Sequence, residues 1–531
     1  MIRLNDISLP LDYDESTLKK EAAKKLRTDP DNIQYITLYR RSVDARKKGQ
    51  LHFLASADIR LIQGEKRAVS ACRNASAINE YNYVLPQCRK LEKRPVIIGS
   101  GPCGLFAALI LARAGQSPII IERGQDADRR AADVESFRRT GILNTSSNIQ
   151  FGEGGAGTFS DGKLNTGIKD SRIRQVLLDF TAHGAPEEIL YLAKPHIGTD
   201  KLRNVVKNIR KTIVSLGGEY LFGAKLTDIL IKSGRVSGAV IFCGGTDGTV
   251  IETDNIVLAV GHSARDTLEM LASKGIPMEQ KPFAAGVRIE HLQENISRAQ
   301  YGELYKHPAL GAADYKLAVH LPNGRGLYTF CMCPGGTVVA AASEEGRLVT
   351  NGMSEFARDR TNANSALLVG INTDDFGSSD VLAGMRLQRR LEENAYALGG
   401  GGYKAPVQRV CDLLQRQASS SLGSVIPSYT RGYTLTDLEG CLPPFITDSL
   451  REGILLMDKR LNGFADGDAV LTAVESRSSS PVRIIRNEIM QSPAARGLYP
   501  CGEGAGYAGG ITSAAVDGIK AAEIILQSTM I

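Results

Sequence analysis

One stretch, Arg94–Gly124 (RPVIIGSGPCGLFAALILARAGQSPIIIERG), constrains the fold more than any other. Pro95 leads into Val96-Ile97-Ile98, an apolar β-branched run too short for a helix and suited to a parallel strand buried on both faces. Gly99-Ser100-Gly101-Pro102-Cys103-Gly104 then turns tightly into Leu105–Ala114, a segment rich in Ala and Leu. A second apolar run, Ile119–Ile121, ends in Glu122 and Arg123. Strand, glycine turn, helix, strand and terminal acid together make the dinucleotide-binding pattern in its full context. Gly99 suits the turn, Gly101 admits a pyrophosphate close to the backbone, and Gly104 lets helix and strand approach. The start of the helix offers free N–H groups and a positive dipole end to phosphate. Glu122, 23 residues after Gly99, is placed to take both hydroxyls of an adenosine ribose.

At 531 residues the chain is too long for one core, and about three domains are expected. No window approaches 18 uninterrupted apolar residues, so no membrane span is expected. The N-terminus carries acids early and has no apolar core, so no secretory signal is expected. Nine cysteines at irregular spacing read as reduced thiols, and the expected location is cytoplasmic. The net charge of +6 is mild, with basic runs at Lys19–Arg27, Arg40–Lys48 and Arg89–Arg94. Such runs read as solvated faces, with nucleic acid as the less favoured partner.

The first 75 residues follow a β-α-β-β order: Met1–Leu9, Thr17–Leu26, Ile33–Arg41 and Gln50–Ile62, half of a ferredoxin-like sandwich. Only Cys72 and Cys88 precede Arg94, too few for an iron–sulfur cluster. Asn74–Arg94 reads as a polar tether. Beyond Glu122 come a charged helix at Asp126–Arg139, helices at Ile173–Ala182 and Leu202–Leu216, and strands at Glu219–Phe222, Ala224–Ile231 and Val236–Phe242. A strand at Ile251–Val260 runs into Gly261. From about Lys274 the pattern changes to strands at Pro282–Glu290, Tyr315–Leu321, Gly326–Cys331 and Thr337–Ser343, followed by helices at Val381–Leu398, Pro406–Gln417 and Pro444–Arg460.

Two further glycine-rich elements have to be explained together with the first. Asn148–Gly167 (NIQFGEGGAGTFSDGKLNTG) is a long loop whose Gly154, Gly155, Gly157 and Thr158 can line a second side of a pyrophosphate or approach a flavin ring. Leu498–Glu503 is a short strand ending in Gly502-Glu503, and Gly504–Gly510 turns into a helix beginning at Ile511. One glycine turn alone would fit NAD, whereas this added ending fits FAD. Glu503 can meet a ribityl hydroxyl, and the helix start at Gly510 and Ile511 can face the flavin N1–C2=O region. Lys225 marks the strand expected to edge the adenine, and Gly261 ends a strand that returns the chain to the nucleotide sheet. No second strand-GxGxxG-helix-acid unit exists, so NAD(P)H enters only as a transient electron donor without a domain of its own.

The catalytic candidates are Arg477 and Arg483 as paired donors for an anionic substrate, Glu475 as a base, and His262 after the strand-end glycine. Cys331 and Cys333 share one strand face at i and i+2, either as buried small hydrophobes or as a flavin-facing dithiol. No second cysteine pair supplies a zinc site, and no metal is expected.

The Arg94–Gly124 and Pro500–Ala522 blocks resemble FAD-dependent oxidoreductases of the glutathione-reductase-like Rossmann superfamily. FGEGGAGTFSDGKLNTG, CMCPGGTVVAAASEEG and VESRSSSPVRIIR are similar to the bacterial FAD-dependent (NAD/FAD-utilising) dehydrogenases, over nearly the whole chain. That resemblance implies an α/β fold: an FAD-binding Rossmann-type domain over 94–273 and 464–531, an inserted β-rich substrate domain over 274–463, and a ferredoxin-like α/β accessory domain over 1–90. It implies an oxidoreductase that moves a hydride between flavin N5 and a small-molecule substrate. The alternatives are a flavin-dependent RNA-modifying enzyme and a non-catalytic flavin-bound sensor or scaffold.

Overall fold

The computed structural model describes residues 1–47 and 49–530. Lys48, within the expected basic run Arg40–Lys48, lies outside the described residues, as does Ile531. A five-stranded parallel sheet sits at the centre, in the order Leu498–Pro500, Ile256–Leu258, Val96–Ile98, Ile119–Glu122, Glu219–Phe222. Val96, Ile97 and Ile98 are all buried, as a strand with neighbours on both edges and helices on its faces requires. Helix Pro102–Arg113 has Pro at its first position and buries every residue from Cys103 to Ala112. A helix apolar all round belongs in an interior. Helix Ile511–Ser528 lies so close to it that a Cβ on Gly518 would sit 2.0 Å from the Cys103 carbonyl oxygen.

A seven-stranded, mostly antiparallel sheet stands beside this one. Its order is Ala318–His320, Gly326–Cys333, Asn362–Ile371, Phe283–Leu292, Val470–Glu475, Ala405–Arg409, Tyr433–Leu435, and the last pair alone is parallel. Helices Ala383–Leu398 and Pro444–Asp458 pack into its core. The two sheets are linked by the short pairing of Met278–Gln280 with Val482–Ile484.

Several expectations are corrected. The N-terminal unit is a full β-α-β-β-α-β sandwich: helix Glu65–Ala71 and strand Ala75–Ala77 complete a sheet ordered Ile33–Asp44, His52–Leu61, Ile2–Leu9, Ala75–Ala77. The expected tether is docked, with Tyr83, Leu85, Cys88 and Leu91 packed on the nucleotide-domain core and the Tyr83 hydroxyl donating to Glu523 at 2.9 Å. Ile251–Val260 is not one strand. Thr246–Glu252 closes a three-stranded antiparallel sheet, and the polar Thr253-Asp254-Asn255 turn, in which Thr253 Oγ1 donates to Arg94 O, separates it from Ile256–Leu258.

Pro406–Gln417 is a strand, Ala405–Arg409, before a single helical turn at Val410–Leu414, because pairing with Val470–Glu475 overrides local propensity. The central strand Asn362–Ile371 was not expected at all, and Val470–Glu475 joins this sheet from beyond residue 463.

Candidate functional site

The carboxyl ends of the parallel strands and the ends of strands Gly326–Cys333 and Val470–Glu475 of the antiparallel sheet line a single cleft. Its atom-free space, counted together with the open solvent at its mouth, is about 1670 Å³. Ligands of open α/β sheets bind at this end of the strands. One end of the cleft is walled by Glu122, Arg123 and Lys225, and its middle by Gly99, Gly101, Pro102, Cys103, Gly155 and Gly157. Gly261, His262, Glu503, Gly510 and Ile511 form a further wall, and Cys331, Cys333, Glu475 and Arg477 close the far end.

Two of the glycines have sharp steric reasons. A Cβ on Gly104 would lie 1.9 Å from the Gly99 carbonyl oxygen, and one on Gly155, at φ +65°, would lie 2.9 Å from Gly101 Cα. The first and second glycine loops therefore touch backbone to backbone. Ser100, Gly104, Gly154, Thr158 and Gly502 stand behind the wall instead of on it. Ser100 donates from N and Oγ to Glu122, Gly154 N donates to Ser100 O, Thr158 Oγ1 to Glu153 O, and Gly502 N to Asp517.

Glu122 is buried and accepts four hydrogen bonds: Ser100 N and Oγ on one oxygen, Gly124 N and Gly152 N on the other. It fixes the turn, and a ribose hydroxyl has to share those oxygens. Arg123 grips Asp266 through two bonds of 2.8 and 3.2 Å and lies over the Phe151 ring, while Lys225 reaches the same carboxylate at 3.3 Å.

The second glycine loop is held by a residue that sequence reasoning passed over. Arg130, on the charged helix Ala127–Thr140, is fully buried. Its guanidinium donates to five carbonyls of the loop: Asn148 (2.9 Å), Ile149 (2.9 Å), Gly152 (3.3 Å), Glu153 (2.7 Å) and Gly155 (2.9 Å). Burial pushes its pKa down to about 10, and Glu122 and Glu153 work against that fall, so it is charged at neutral pH. Nothing in the local pattern separates Arg130 from Arg129 beside it, which is exposed.

At the far end the expected anion clamp is absent. Arg483 lies on the surface, paired with Glu279 at 2.8 Å, and does not line the cleft. Arg477 lines it, but its guanidinium is committed: Nε and Nη2 donate to Glu392, and Nη1 donates to Ser263 and Ser343. Glu392 is buried and also takes both ends of Arg265, at 2.7 and 2.9 Å. Burial opposes its charge, but Arg265 and Arg477 outweigh burial and hold the carboxyl well below its usual range. This network pins helix Ala383–Leu398, helix Arg265–Ser273 and the segment after Val470–Glu475 into one wall.

Glu475 is buried against Arg288, 3.4 Å from its Nε, and burial raises its pKa despite that neighbour. The other two nitrogens of Arg288 both donate to the Cys331 carbonyl at 3.2 Å. Cys331 has φ +42° at a register break between Phe330 and Cys333. A bulge of this kind breaks the regular alternation, yet both cysteines line the cleft, Cys331 exposed and Cys333 buried. Desolvation in the cleft wall pushes the Cys331 thiol up to about 11. Lys163, also in the wall, donates to Met332 O and lies 3.9 Å from Cys333 Sγ.

His262 Nδ1 is 3.6 Å from Glu503, and burial drives the imidazole down to about 3, leaving it neutral. Cys103, Cys501 and Asp517 bring ligand-type atoms within 4.8 Å of one another, but Arg486 binds that carboxylate through two nitrogens.

The cleft suits an extended dinucleotide. Helices Pro102–Arg113 and Ile511–Ser528 both begin at a glycine of its wall with no side-chain cap, so their first N–H groups are free to meet anionic or carbonyl oxygens. Among the described residues no helix is long and apolar enough to cross a membrane.

Comparison with known proteins agrees with that fit. Residues 93–147 match an FAD-binding domain, 282–478 match the family described as FAD-dependent protein, C-terminal domain-like, and 1–60 match a domain of unknown function. A protein of Clostridium beijerinckii described as uncharacterized is 50% identical over 531 residues, 99% of this chain and 98% of its own. The 6-hydroxy-3-succinoylpyridine 3-monooxygenase HspB of Pseudomonas putida is 24% identical over 212 residues, 38% of this chain and 49% of its own.

Among solved structures, the flavin-dependent brominase Bmp2 is 15% identical with a TM-score of 0.37, covering 82% of this chain and 79% of its own. An L-amino acid deaminase from Proteus vulgaris is 12% identical with a TM-score of 0.34, covering 85% and 96%. The chain belongs to the family of the clostridial protein, a family of FAD-dependent flavoproteins of the oxidoreductase type, and FAD is its cofactor.

Proposed function

We propose that the protein transfers a hydride between the FAD flavin and a small-molecule substrate held where the seven-stranded sheet meets the cleft. The observation that carries this reading is the continuity of one cleft. It runs from Glu122 and Lys225, beside the nucleotide motif, to Glu475 and Cys331 on the other sheet. Bound FAD supplies hydride acceptance and donation at its N5.

The chain supplies enclosure and polarity. Glu122 and Arg130 shape the two glycine loops, and the uncapped helix starts at Gly101 and Gly510 face negative charge. The Arg477–Glu392–Arg265 network keeps the far wall rigid. Glu475, raised by burial, is the wall's candidate proton acceptor or donor for substrate, and neutral His262 offers a hydrogen bond without charge. With Arg483 outside and Arg477 internally paired, neither of these two arginines offers a free fork to an anionic substrate.

Anaerobic mixing with NADH or NADPH, followed by a metabolite screen for reoxidation, tests the reading. Bleaching of the flavin by one nicotinamide and its return with one substrate is expected. A flavin that photoreduces yet turns over with no donor and acceptor pair refutes it and leaves a sensor or scaffold.

The first 94 residues favour one second reading. They hold 19 Lys and Arg against 12 Asp and Glu, more than the whole chain's surplus of +6. RNA binding that weakens steeply with salt and is lost with residues 1–90 would support an RNA substrate.

A further inference from the structure

Four carboxylates line the cleft, and three of them are compensated. Glu122 accepts four N–H or O–H donors, Asp161 is bound by Arg358 at 2.6 Å with Lys163 at 3.6 Å, and Glu475 faces Arg288 at 3.4 Å. Glu503 is the exception. Among the described residues no lysine or arginine lies within 4.0 Å of its oxygens, and its one ionisable neighbour at that range, His262, is held neutral by burial.

The groups that face it come from three other elements. They are His262 after strand Ile256–Leu258, half-buried Lys281 ahead of strand Phe283–Leu292, and the Gly510 N–H at the start of helix Ile511–Ser528. Lys281 in turn faces Arg483.

We propose that FAD binding to this chain takes up one proton at Glu503, which holds the cofactor as a neutral carboxyl and a hydrogen-bond donor. The inference rests on FAD occupying the cleft and not on the redox reaction. The physical reason is charge. FAD brings a pyrophosphate with two negative charges into a cleft where, among the described residues, this carboxylate has no lysine or arginine within 4.0 Å and only the more distant Lys281 to offset it. Burial already raises the Glu503 carboxyl to about 7, against the pull of Lys281 and the Gly510 N–H.

A further anion nearby raises it again. The sign follows from linkage: the bound state holds the proton to higher pH than the free state, so affinity is highest below about pH 7 and falls as pH rises through the free-state value. This role differs from an ionised acid accepting a ribityl hydroxyl.

The test uses the full-length apoprotein and FAD. Titration calorimetry at pH 8 in two buffers of different ionisation enthalpy reads proton uptake directly, and about one proton per FAD is expected. In parallel, Kd from flavin fluorescence is measured from pH 6 to pH 9. Above pH 7 the wild type is expected to lose roughly tenfold per pH unit, and Glu503→Gln, which keeps a neutral donor, is expected to stay flat.

Lys281 titrates with the same sign, and the Glu503→Gln profile separates the two. Zero proton uptake by the wild type, or an unchanged slope in Glu503→Gln, overturns the inference. Absence of FAD binding at every pH would overturn it together with the cofactor assignment, and the two failures are told apart because only the first leaves a measurable Kd.

Discussion

Arg130→Ala is the most informative perturbation of the cofactor site. The guanidinium makes five bonds to loop carbonyls, four of them between 2.7 and 2.9 Å, and no water reaches it because the side chain is fully buried. Bonds to a charged donor contribute about 1.5–3 kcal/mol each, so a naive sum would exceed 6 kcal/mol. Truncation to Ala opens room for water to satisfy some of the carbonyls, which returns part of that. Breaking a buried charged cluster by removing one member costs about 3–5 kcal/mol in practice.

Because the bonds all go to Asn148–Gly155, the loss falls on the loop and not on the core. We therefore expect about 3 kcal/mol of it to appear in cofactor affinity, a roughly hundredfold rise in Kd for FAD. Arg130→Lys keeps the charge but offers three donors in place of a planar fork, and a loss between wild type and Ala is expected. The assay is quenching of FAD fluorescence on binding to apoprotein, with far-UV circular dichroism to show that the fold persists. A Kd for Arg130→Ala within threefold of wild type, in a folded protein, would refute the reasoning. The guanidinium would then be a passive filler and the loop rigid without it.

Gly155→Ala combines φ +65° with a Cβ 2.9 Å from Gly101 Cα, and should abolish FAD retention on gel filtration while leaving helix content unchanged. Glu392→Gln leaves Arg265 and Arg477 buried without their shared carboxylate, and should destabilise the chain by about 3–5 kcal/mol at pH 7 in thermal or denaturant unfolding. Its carboxyl is depressed in the folded state, so the stabilisation is complete above the unfolded carboxylate range and is lost as pH falls through the folded value. The gap between variant and wild type should hold from neutral pH down to about pH 5 and narrow only in strong acid. Arg483→Ala breaks one exposed pair with Glu279 and should change stability by at most about 1 kcal/mol, with FAD affinity unaltered. A large loss of FAD affinity there would contradict the position of Arg483 outside the cleft.

The sequence by itself determined the nucleotide half. Glycine turns, β-branched strands and a terminal acid are local signals, since each residue's role follows from backbone freedom or from a partner a few positions away. Glu122 was therefore legible from its spacing to Gly99, although its four protein donors were not. The far wall was decided only in three dimensions. Arg477 and Arg483 are six residues apart and look alike in sequence, yet one turns inward to Glu392, 85 positions away, and the other outward to Glu279.

The bulge at Cys331 receives two bonds from Arg288, 43 positions away. Pro406–Arg409 is a strand because Val470–Glu475 offers it hydrogen bonds that a helix in that place would leave unmade. Pairings over such separations leave no periodic trace in the chain. A charged or β-capable residue is compatible with several partners, and only the packed fold selects one. The cofactor is thus written in local geometry, while the far wall of the cleft was set by long-range ion pairs and strand register.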